Sequence, residues 1–148
     1  GLVAAGMGVA QLLNARIVGR FGVRRMVHGL MLGYVTVSVA LLLWAVTTGG
    51  VPAFWPYMAL FGLLLASYAM VFPNSNTIAM NPMGEIAGMA SAVIGVISIA
   101  GGAILGSVLD RLIDDAVTPL AAGFFASAVV ALGIVTLAER GKLFRPLR

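Results

Sequence analysis

Few side chains in this chain are equipped for chemistry, and they gather in three places. The string Gly19-Arg20-Phe21-Gly22-Val23-Arg24-Arg25 is short, basic and glycine-bearing. A run of amides and hydroxyls, Asn74-Ser75-Asn76-Thr77, follows Pro73 and continues a series in which Tyr57, Phe61, Leu64, Tyr68, Phe72 and Ser75 recur at helical spacing. Gly88, Ser91, Gly95, Ser98, Gly102 and Gly106 are three or four apart and make one stripe of small residues on a helix. These groups stack, donate hydrogen bonds and let helices approach; they do not make or break covalent bonds. There is no cysteine, which excludes disulfides and thiolate metal or redox centres. No phosphate-binding glycine loop, metal-ligand cluster or nucleophile triad is visible, so the chain reads as no enzyme and calls for no cofactor.

Each place has two readings. The arginine string is either positive flanking charge, with arginines on helix ends or lipid phosphates, or a conformational latch. Tyr68, Asn74 and Asn76 either pack and hydrogen-bond between helices or line a substrate path. The small-residue stripe is either static helix packing, as Gly29 and Gly33 are in a shorter form, or a smooth face along which helices slide. His28 reads as an interfacial residue rather than a proton relay. Glu85 is placed to cap a helix start, where the dipole favours a carboxylate. No carboxylate falls deep within an apolar run, so no acid for binding a proton or cation is expected here.

The elements that must position these residues follow from composition. Of the 148 residues 61% are hydrophobic and only 9% charged, against roughly 25% charged in soluble domains. A soluble domain of this size has too little interior to hide that much apolar surface. The charges are also segregated: none falls between Met26 and Gly84, between Ile86 and Leu109, or between Ala116 and Ala138. A membrane-spanning helix needs about 20 apolar residues. The two shorter gaps hold one span each, and the long one holds two, joined at Thr47-Thr48-Gly49-Gly50 and Pro52. The expected spans are about 27–47, 53–80, 86–109 and 118–137. Gly1 to Leu13 is too short to cross alone, has no basic leader region, and reads as the end of a fifth span begun upstream. Backbone amides in lipid must be paired internally, so the fold class is all-α transmembrane. Helix three is expected to run through Pro73, because Ile78 to Met80 is apolar again and Asn81-Pro82-Met83-Gly84 makes a better turn.

The formal charge of +4 does not point to nucleic acid, because the basic residues flank spans. Arg16, Arg20, Arg24, Arg25, Arg140, Lys142, Arg145 and Arg148 fall on one side, and of the nine Lys and Arg only Arg111 falls on the other, beside Asp110, Asp114 and Asp115. The positive-inside rule then makes the C-terminus, including the tail 139–148, cytoplasmic. Trp44, Trp55 and Tyr57 flank the outer turn as an interfacial belt does.

Two strings resemble a known family. Gly19 to Arg25 is similar to the arginine-and-glycine loop between helices eight and nine of major facilitator superfamily transporters, with Gly19 where the full motif has an acid. Phe72-Pro73-Asn74-Ser75-Asn76-Thr77-Ile78-Ala79-Met80, followed by Ala87-Gly88-Met89-Ala90-Ser91-Ala92, resembles helices ten and eleven of the drug:proton antiporters related to bicyclomycin-resistance proteins. The resemblance covers the chain from Asn14 to the basic tail. It implies a partial six-helix bundle, the end of helix eight plus helices nine to twelve, whose partner is the N-terminal half of the same transporter. Such proteins rock two halves about a site near the midplane. The implied activity is proton-coupled efflux of small amphipathic compounds across a bacterial inner (plasma) membrane, with the proton-titrating acids in the other half. Tyr68, Asn74 and Asn76 would line the path, and the stripe from Gly88 to Gly106 would lie on a cavity-lining helix. Two other readings stay open: a transporter of a sugar, organic acid or amino acid, and a membrane scaffold or subunit without transport, which requires a start codon close to Gly1.

Overall fold

The computed structural model describes residues 1–113 and 116–139. Arg140, Lys142, Arg145 and Arg148 of the expected basic tail, and Asp114 and Asp115 of the outer turn, lie outside the described residues. Within them the chain is helical, without a strand: α1 (Leu2–Phe21), α2 (Val23–Thr47), α3 (Phe54–Met80), a short 3-10 turn (Gly84–Ile86), α4 (Ala87–Leu112) and α5 (Thr118–Ala138). Four stretches are long and apolar enough to cross a membrane: Val23–Thr47, Phe54–Met80, Gly84–Leu112 and Thr118–Ala138.

The breaks between helices have local causes. Gly22 sits at φ 80°, ψ 146°, a conformation open essentially to glycine, and it alone separates α1 from α2. The expected loop from Gly19 to Arg25 is therefore one residue long. Gly19 and Arg20 belong to the last turn of α1, and Arg24 and Arg25 to the first turn of α2. The first apolar run ends near Leu13, but the helix continues to Phe21, because Ala15, Arg16 and Arg20 are good helix formers. Gly49 and Gly50, both at positive φ, close the turn after α2. Pro119 enters the first turn of α5, where its missing N–H is no loss. Pro73 does fall within α3, and the helix continues through it to Met80. The turn at Asn81 to Gly84 ends it, with Met83 N–H bonded to the Met80 carbonyl at 2.9 Å.

The bundle is organised around α2, which packs along both α3 and α5; α1 lies along α3, and α4 touches α3 and α5 only lightly. Leu41, Ala45, Tyr57 and Ala121 form a buried cluster toward the end of the bundle that carries the Thr47–Ala53 turn, with Phe61 and Val117 packed against it. Ala45 and Ala121, both fully buried, let three helices meet closely there. Phe61 and Phe124 extend the contact with rings edge-to-face, centroids 5.6 Å apart. In lipid such contacts are held by close packing rather than by escape from water. The connections that follow α2 and precede α5 also touch. Val117 N–H donates to the Gly50 carbonyl at 3.0 Å. A Cβ on Gly50 would lie 2.5 Å from that of Ala116, so the approach needs glycine as much as the turn does.

Candidate functional site

A cavity of about 180 Å³, open on one side, lies halfway along the helices between α2, α3 and α5, and Tyr68, Ser127 and Ala131 on its wall are exposed. Its walls are Met31, Tyr34, Tyr68, Val71, Ser127, Ala128 and Ala131. Tyr34, Tyr68 and Ala128 each stand at the middle of their helices, so the cavity lies near the midplane of any bilayer the bundle crosses. Aromatic rings and small residues shape it. Tyr68 leans on Phe72 with ring centroids 5.9 Å apart. The polar groups on the wall are two phenols and one serine hydroxyl. Ser127 Oγ already donates to the Gly123 carbonyl at 2.8 Å, which leaves it free to accept. No wall residue carries a charge, so the pocket offers an ion no counter-charge. The arrangement suits an uncharged, amphipathic guest that stacks on a ring and hydrogen-bonds to a hydroxyl.

Of the three residues expected to share a substrate path, Asn74 and Asn76 are not among those lining this cavity. Tyr68 lines the cavity. Asn74 is six positions on, about 240° around the helix, and points at α1 instead. It is buried, and its Nδ2 donates both to Asn14 Oδ1 at 2.6 Å and to the Met70 carbonyl at 2.7 Å. Asn76 is half-buried, and its Oδ1 is buried with no partner among the described residues.

Residue spacing alone did not reveal the partners on α1. Val3, Met7, Ala10, Asn14 and Ile17 form the more sheltered stripe of that helix, and Gln11 flanks it. Gln11 Nε2 donates to the Ala69 carbonyl at 2.5 Å. Two amides three positions apart in an apolar run were the available signal for an interhelical contact.

The small-residue stripe faces outward for most of its length. No described residue of α4 is fully buried, and Gly88, Ser91, Ser98, Gly102 and Gly106 are exposed in the bundle while Gly95 is half-buried. Its two ends meet neighbours: toward the C-terminal end of α4, Gly102 and Gly106 border a groove shared with Leu109, Gly123 and Phe124. The Leu109 side chain fills the space that a Cβ on Gly123 would occupy. At the other end Ser91 Oγ donates to Met80 Sδ at 3.0 Å.

The arginine string has a specific partner. Arg24 Nε donates to Glu139 Oε1 at 2.8 Å, and its Nη2 donates to Oε2 of the same carboxylate. His28, only 2% exposed, brings Nε2 to 4.0 Å from Glu139 Oε1. Arginines in a first turn run against the helix dipole. The Glu139 carboxylate offsets that by placing negative charge against the start of α2, and it fastens the end of α5 there. His28 is thus buried beside a carboxylate. Glu139 is the sole acid at the end of the last apolar run, opposite the arginine string; that pairing was the signal for it.

No family model, curated protein or solved structure matches the chain.

Proposed function

We propose that the chain forms part of a secondary transporter that moves small, uncharged amphipathic compounds, and that it corresponds to the end of helix eight and helices nine to twelve of a major facilitator superfamily drug:proton antiporter. The observation carrying this reading is the midplane cavity, with Tyr34 and Tyr68 on its wall and no charged group among its lining residues. A site at the midplane between helices is where alternating-access carriers hold substrate. The four apolar helices and the similar strings at Gly19–Arg25 and Phe72–Ala92 support it further. The C-terminus is cytoplasmic on this reading, the membrane is a bacterial inner membrane, and protons couple through acids outside this chain. The exposed stripe of α4 would then face the other half of the carrier.

The test uses the full reading frame, expressed and studied in inverted membrane vesicles. Dye or antibiotic accumulation driven by an imposed proton gradient is the expected result. Tyr68→Ala should weaken apparent substrate affinity by about threefold to tenfold, the worth of one lost ring contact of about 0.5–1.5 kcal/mol. Absence of gradient-driven movement of any compound would sink the reading.

A further inference from the structure

Pro73 should be costly where it stands. It lacks the N–H that would bond the carbonyl four residues back, which is that of Ala69, and its ring pushes that carbonyl outward. In water a solvent molecule would fill the gap. Ala69 is buried, and the helix is one of those long and apolar enough to lie in lipid, where an unpaired carbonyl is expensive. The carbonyl is nevertheless paired, by the amide of Gln11 reaching across from α1 at 2.5 Å. One turn further along, Asn74 holds Asn14 at 2.6 Å. The two α1 amides are three residues apart and meet two α3 positions that bracket Pro73.

We infer that Gln11 is the donor in trans that makes Pro73 tolerable, and that Gln11 and Asn14 form a clasp through which α1 controls bending of α3. With the clasp closed, the Ala69 carbonyl that Pro73 leaves without its helical donor is paired, and α1 is held to α3 at two points. Bending of α3 at Pro73 moves the Ala69 carbonyl and must release Gln11. The clasp is independent of what, if anything, the protein transports.

The experiment is a double-mutant cycle in the full-length protein, purified in detergent micelles, with Gln11→Met as the isosteric loss of the donor and Pro73→Ala as the restoration of the missing N–H. Thermal unfolding is read together with hydrogen exchange of the peptide spanning 69–80. Gln11→Met alone should lower the melting temperature by a few degrees and raise exchange of that peptide severalfold. In the Pro73→Ala background the same change should shift melting by less than about 1 °C and leave exchange unaltered, because the backbone now fills the carbonyl. If Gln11→Met fails to fold, Pro73→Ala should rescue it. Equal effects of Gln11→Met in both backgrounds, or no rescue, would overturn the inference.

Discussion

At the scale of single residues, the most consequential contact is between two side chains 115 positions apart. The carboxylate of Glu139 accepts two hydrogen bonds from Arg24 and stands beside buried His28. Arg24 is partly exposed, so the pair is worth less than a fully buried one. Glu139→Gln should cost about 1–2 kcal/mol, chiefly by leaving the guanidinium facing a neutral partner at a helix N-terminus. Arg24→Gln combined with Glu139→Gln should cost less than the two single changes added together. Chemical or thermal unfolding of the four proteins in the same micelle measures that coupling, and strict additivity would mean that the pair contributes nothing. The sequence made Arg24 visible as a charge but not as half of a pair, because its partner lies at the far end of the chain. Asn74 was legible in the same incomplete way. A polar residue in an apolar helix announces that it has a partner; which of several neighbouring helices supplies it depends on packing that periodicity does not encode.

At the scale of elements, the ends of helices were legible where chemistry forces them. Asn81-Pro82-Met83-Gly84 ends α3 and Pro73 does not, as the return of apolar residues at Ile78 requires. The connection between α1 and α2 is shorter than its run of charge suggests, because arginine is a good helix former. The two glycines of that string consequently have opposite roles. Gly19 is inside a helix with open space around it, whereas Gly22 holds the positive φ of the break. Gly19→Ala should therefore be neutral or stabilise by up to about 1 kcal/mol, and Gly22→Ala should destabilise by about 1–3 kcal/mol. Unfolding midpoints of the two variants, compared side by side, check the assignment; a larger loss at Gly19 would reverse it.

For the whole molecule, the four helices long and apolar enough to cross a membrane can be counted from the charge gaps alone, since a charge within an apolar span is costly and so marks where spans end. Their arrangement could not. Nothing in the apolar stretches distinguishes α2, which lies at the centre, from α4, which lies at the edge, because lipid and neighbouring helices select for the same apolar side chains. The direction of insertion is a matter of arginine distribution. With the C-terminus inside, Thr48→Cys should react with an impermeant maleimide added to intact cells, and Asn81→Cys should react only once the membrane is opened. This chain contributes no cysteine of its own, so each label reports one site. The reverse pattern would place the basic string outside and remove the support that topology gives to a cytoplasmic tail.

The contacts at the two ends of α2 and α5 have a joint consequence. The Gly50 carbonyl receives Val117 N–H at one end, and Arg24 holds Glu139 at the other. The two helices are thus pinned together like rails with a tie at each end, and their lengths have to agree. One residue inserted in the middle of either helix would lengthen it by about 1.5 Å and turn everything beyond by about 100°. One of the two ties would then come apart, whatever residue was inserted. α4 carries no such pair of ties and has slack to absorb the change. Change by substitution is open along the whole bundle, but change by insertion or deletion is closed along the α2–α5 pair.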